Sequence, residues 1–136
     1  MRVLPITSNE NFAVPTGHTL ITSAVSGGSF TFYLDTMLQQ YNGKVCLYLH
    51  PVFRIFHLPC YDGQGIAISE SDIAQYEHRT TYSEILCTNW IFLSEKTSVI
   101  LFDNENTLRQ KYKLAEDAGI PYLAAKKEIL QKIKTP

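Results

Sequence analysis

Apolar side chains recur along this chain with two periods. Between residues 30 and 41, Phe30, Tyr33, Leu34, Met37, Leu38 and Tyr41 stand three or four apart, which lays one apolar stripe along a helix. Ser29 suits its N-cap and Asn42-Gly43 its stop. Residues 44–50 instead alternate: Val45, Leu47 and Leu49 point one way, Cys46, Tyr48 and His50 the other, as in a strand that Pro51 ends. Residues 52–58 read as the next strand. Asp62-Gly63-Gln64-Gly65 reads as a turn, and residues 66–69 as a third strand folding back in a meander or hairpin.

Towards the N-terminus, residues 1–8 predict a short edge strand, since Pro5 cannot donate to a ladder on both sides. Asn9, Asn11, Pro15 and Gly17 mark residues 9–17 as a loop, and residues 18–25 are β-compatible. Ser69 or Ser71 caps a helical turn reaching Tyr76. Thr81-Tyr82-Ser83-Glu84 has capping-box spacing and predicts a helix from about Tyr82, with residues 90–93 open to helix or strand. Residues 97–103 form an apolar strand, Asn104 to Asn106 open a helix running to Ala118, and Gly119 stops it. Residues 120–124 are a short strand and 126–134 a last helix with Ile129, Leu130 and Ile133 inward. The expected fold is a single compact α/β domain over residues 1–136. It has a mixed sheet of about five strands, flanking helices and a C-terminal strand–helix–strand unit, right-handed if its strands are parallel neighbours.

Composition narrows the classes. Forty-five per cent hydrophobic residues in a chain of 136 suit one folded domain rather than a disordered chain. No run of apolar residues is long enough for a membrane helix, and the N-terminus has no secretory pattern. Cys46, Cys60 and Cys87 are far apart and form no Cys-x-x-Cys pair, so free thiols in a reducing, cytoplasmic setting are expected, with no metal and no resident cofactor. The net charge of −1 gives no general attraction to nucleic acid, but it hides an asymmetry. Residues 1–104 carry 5 basic and 9 acidic side chains, and residues 105–136 carry 7 and 4. An aromatic-dense middle, from Tyr48 to Trp90, holds more aromatics than a small core buries easily, so a homo-oligomer interface is expected; core packing and stacking on a nucleobase-like ring are the alternatives.

The candidate chemistry follows from these placements. Ser26, Gly27, Gly28 and Ser29 stand between a strand and a helix, where glycines allow close backbone approach and first-turn N–H groups favour an anion. Arg109 and Lys113, four apart on one helix face, are the cations that would neutralise it; the competing pairings are Glu105 with Arg109 and Asp117 with Lys113. The stretch from Ala24 to Thr31, through Ser26-Gly27-Gly28-Ser29, resembles the pyrophosphatase-type loop of ATP-dependent adenylating enzymes, with Phe30 where that loop carries its acidic residue. Residues 81–120, with Tyr-Ser-Glu-Ile, Leu-Phe-Asp-Asn and a helix bearing Lys113, are similar to the closing segment of chitinase-like glycosidases; the chain is shorter than their barrel and carries no paired-acid motif.

These readings lead to one expectation and two alternatives. The expectation is binding without turnover of a small anionic ligand, nucleotides included, by a sensor, carrier or sequestering protein. The first alternative is an enzyme whose site is shared between subunits and uses His50 or His57. The second is an interaction module using the aromatic surface.

Overall fold

A computed structural model describes residues 1–7 and 12–134. Ser8, Asn9 and Asn11, part of the expected first strand and loop, lie outside the described residues. The chain is α/β, with nine strands in two sheets and four α-helices among the described residues. The strands expected in one mixed sheet are divided by direction. Strands β1 (Arg2–Ile6), β2 (Thr19–Thr22), β3 (Val45–Tyr48) and β9 (Tyr122–Lys126) form a parallel sheet in the order β1-β9-β3-β2. Strands β4 (Phe53–His57), β5 (Ile66–Ala67), β6 (Thr81–Ser83), β7 (Thr88–Leu93) and β8 (Ser98–Phe102) form an antiparallel sheet in the order β5-β4-β8-β7-β6.

Pro5 sits in an edge strand as its chemistry requires. Central β3 is continuously apolar because parallel strands are covered on both faces: Val45, Cys46 and Leu47 are fully buried. Helix α1 (Phe30–Gln40) follows β2 and returns the chain to β3. Phe30 and Leu34 from its stripe are fully buried in a core with Leu47, Leu123, Leu130 and Ile133.

Three expectations are corrected. The strand after Pro51 does not form a meander with β3: it starts the second sheet and makes a hairpin only with β5. The strand–helix–strand unit is not a crossover within one sheet either. β8 belongs to the antiparallel sheet, and α3 (Glu105–Ala118) carries the chain across to β9, between β1 and β3. Thirdly, no helix starts at Tyr82. Thr81, Tyr82 and Ser83 pair with Trp90, Asn89 and Thr88 as a hairpin. Thr81, the expected cap, is a strand residue, and Ser83, inside the expected box, accepts the Leu86 N–H at 3.2 Å and so closes the turn, a local use of a hydroxyl that competes with helix initiation. Residues 90–93 are therefore strand.

The other helices follow their signals. Ser69 caps α2 (Glu70–Ala74), Asn104 and Thr107 form a reciprocal capping box on α3, Gly119 ends it, and α4 (Lys127–Lys134) packs Leu130 and Ile133 inward. A second core lies against the antiparallel sheet, with Ile73, Ile91, Leu93, Ile100 and Phe102. The aromatic middle is mixed in its exposure: Phe56 is 7% exposed, while Tyr61 is 95% exposed. No helix among the described residues is long and apolar enough to cross a membrane.

Candidate functional site

In open α/β sheets, crevices form beyond the carboxyl ends of the strands, where loops leave in different directions. The chain obeys this. After β2 it turns into α1, and after β3 it leaves for the antiparallel sheet. A cavity of about 600 Å³ opens between these two departures, lined by Thr22, Ser26, His50, Arg54, Gln64 and apolar neighbours such as Val25 and Val52.

Its polar wall is built by short contacts. Thr22 Oγ1 accepts the Ala24 N–H at 2.9 Å and shares a hydrogen bond of 2.7 Å with His50 Nε2, whose direction follows the tautomer of the ring. Tyr33 reaches over from α1 and donates its hydroxyl to the Thr22 carbonyl at 2.7 Å. The Tyr48 ring stacks on His50 at 4.5 Å. Ser23 pins the backbone of His50 twice: its hydroxyl donates to the His50 carbonyl at 3.1 Å and accepts the His50 N–H at 3.0 Å. Burial, followed by the charge of Lys111, holds the His50 imidazolium pKa below its ordinary value. The ring is therefore a neutral hydrogen-bonding group at physiological pH.

Behind this wall lies a fully buried ion pair. Lys111 Nζ donates to Asp103 Oδ2 at 2.9 Å, and both side chains are 0% exposed. Asp103 also accepts the Val52 N–H at 2.9 Å and the Thr107 hydroxyl at 2.8 Å. Lys111 further reaches the Ser23 carbonyl at 3.4 Å and lies 5.5 Å from the Phe30 ring centre. One cation thus ties α3, the end of β8 and the residue after β2 together.

Of the residues expected to hold the anion, only Ser26 lines the cavity; His50, singled out for the enzyme alternative, lines it too, and His57 does not. Its hydroxyl donates to the Gly63 carbonyl at 3.0 Å and so joins the loop to the β4–β5 turn. Gly28 adopts φ +76°, which a side chain would strain. Ser29 is the α1 cap, accepting the Phe32 N–H at 3.2 Å, and the Phe30 N–H is bound to the Ile85 carbonyl at 2.9 Å. Two of the first-turn donors expected for an anion are therefore already engaged. Gly27 and Gly28 have open space around their α-carbons. Arg109 and Lys113 are not among the cavity-lining residues. Arg109 donates to the carbonyls of Lys132 at 2.9 Å and Ile133 at 3.1 Å, and pairs with Glu105 at 3.6 Å. It tethers α4 to α3. Lys113 is exposed.

Sequence reasoning missed Arg54, Thr22, Asp103 and Lys111. The signal for Lys111 was present: Leu108, Lys111 and Ala115 fall three and four apart, which places the lysine on the apolar stripe of α3. Arg54 stood out only as a charge among apolar positions of a strand. Its guanidinium donates to the Gln64 carbonyl at 3.2 Å. The three cysteines are free, and no cluster of three metal-ligating side chains occurs among the described residues.

No family model matches this chain, and no curated protein matches it significantly. Among solved structures it is similar to the crystal structure of the Bacillus cereus spore cortex-lytic enzyme SleL, with a TM-score of 0.53 and 15% identity. The likeness covers 88% of this chain and 36% of that one. At that identity the likeness is one of fold, and this chain spans about a third of that structure's length.

Proposed function

We propose that the chain binds a small anionic ligand, without turnover, in the cavity beyond β2 and β3. The observation that carries this reading is the lining itself: Arg54 supplies a cation, His50 and Thr22 a neutral polar pair, and Val25 and Val52 an apolar flank. Cavities of several hundred Å³ with a few convergent polar groups are the usual form of small-molecule sites. Arg54 takes the charge-neutralising role first expected of Arg109 and Lys113. A planar guanidinium suits phosphate and carboxylate alike.

A second reading is a neutral oligosaccharide. It is favoured by the fold likeness to a cortex-lytic enzyme together with the resemblance of residues 81–120 to chitinase-like glycosidases. One thermal-shift series distinguishes the two, using inorganic phosphate, a sugar phosphate, a nucleoside diphosphate and a neutral chitooligosaccharide. Ligand at 100 times its dissociation constant stabilises by about 2.7 kcal/mol. The anion reading expects stabilisation by the phosphorylated probes, lost in Arg54→Gln. Stabilisation by the neutral sugar alone supports the second reading. Silence from every probe removes both.

A further inference from the structure

A second cavity, of about 520 Å³, lies on the other side of the Pro51–Phe53 segment. Its floor is apolar: Phe53 and Phe102 from the antiparallel sheet, Ile73 from α2, Leu108 from α3, and Ile129 and Ile133 from α4. Its rim is charged with one sign in excess. Glu70, Glu77 and Glu105 line it against a single Lys132, while Asp103 is neutralised by Lys111. Glu105 is shared with Arg109 at 3.6 Å, and no ion pair engages Glu70 or Glu77 among the described residues.

From this we infer a site for an organic cation with an apolar body, such as an aromatic or alkyl amine. The argument is complementarity on two scales. The floor removes hydrocarbon from water, worth roughly 25 cal/mol per Å² of apolar surface. The exposed carboxylates at the mouth attract an ammonium group and repel a carboxylate of the same shape. A purely apolar ligand would leave the acidic rim without a partner. An inorganic cation would leave the floor wet. Only an amphiphilic amine uses both features. This site is independent of the anion cavity: its carboxylates lie on α2, after it and at the start of α3, and none lines the first cavity.

Calorimetric titration of the full chain with tryptamine, and separately with indole-3-propionate, tests the assignment. The two probes share a ring and differ in the sign of their charge. Tryptamine is expected to bind at millimolar concentration or below, and indole-3-propionate to bind more weakly or not at all. The double variant Glu70→Gln/Glu77→Gln, whose changes are on exposed side chains, should weaken tryptamine about fivefold, as two exposed charge contacts imply. Ala74→Trp, at a residue lining the cavity, should fill it and abolish binding. Circular dichroism and urea titration confirm that each variant is folded. Equal affinity for both probes, no tryptamine binding, or unchanged affinity in the folded double variant overturns the proposal. None of these results bears on phosphate binding beside Arg54.

Discussion

Replacing Lys111 with Met should destabilise the chain more than its position between exposed Gln110 and partly exposed Tyr112 suggests. The change removes the cation from a pair in which both side chains are 0% exposed. Breaking a buried pair from one side typically costs 3–5 kcal/mol, because the other charge stays in a poor solvent. Here Asp103 keeps two donors, the Val52 N–H at 2.9 Å and the Thr107 hydroxyl at 2.8 Å. That places the expected loss near the lower end, about 3 kcal/mol. For domains whose whole stability is roughly 5–15 kcal/mol, this is a large fraction. In urea, with a slope of about 1.5 kcal/mol per molar, the midpoint should fall by about 2 M. Adding Asp103→Asn removes the orphaned charge while retaining an acceptor, so Lys111→Met/Asp103→Asn should be more stable than Lys111→Met alone. A loss below about 1 kcal/mol in the single variant would falsify the assignment of a dry, coupled pair, since that is the range of exposed ion pairs. A double variant weaker than the single one would refute the same reasoning from the other side.

Two further outcomes follow, one from the glycine turns near the cavity and one from its wall. Gly65→Ala should cost more than Gly28→Ala by urea denaturation: both need positive φ, +67° and +76°, but only at Gly65 would the new carbon lie 2.8 Å from the Ile55 carbonyl and the Phe56 ring. The conformational part is about 1–2 kcal/mol at either site, and the excess at Gly65 measures the close approach. His50 has its pKa lowered by burial and by Lys111, so below its ordinary value near 6.5 the unfolded chain takes up the proton first. Stability contributed by neutral His50 is complete above that pH and declines as pH falls towards the folded pKa. This contribution should be missing from the pH profile of His50→Gln, so that the difference between wild type and variant falls as pH falls, and a parallel pH profile in that variant counts against the buried ring.

The elements were more legible than their assembly. Asn104, the α3 stripe and Gly119 are local signals that act through backbone hydrogen bonds a few residues away, and α3 begins and ends where they stand. The α1 stripe with its Ser29 cap behaves in the same way. The division into two sheets was not readable, because it depends on which strands meet. Asp103 donates its N–H to the Val52 carbonyl at 2.9 Å and accepts the Val52 N–H on its side chain, a clip between residues 51 apart. At Thr81 the chain carried a true capping pattern, but Thr81 pairs with Trp90 of β7 and the hydroxyl of Ser83 closes a hairpin instead.

The site was less legible for a related reason. Helical spacing grouped Arg109 with Lys113, four residues apart, and the structure leaves both outside the first cavity. The residue between them lies nearly half a turn away, and its burial decides the geometry of the wall. Lys111 reaches the Ser23 carbonyl at 3.4 Å, and Ser23 in turn holds His50 by two bonds near 3 Å. The pair that stabilises the fold therefore also sets where the imidazole stands. This coupling makes the Lys111→Met variant informative twice. If it remains folded under mild conditions, any ligand that depends on His50 should bind it more weakly, although Lys111 itself does not line the cavity. Full affinity in that folded variant would mean that the Thr22 and Tyr48 contacts alone are sufficient to orient the ring.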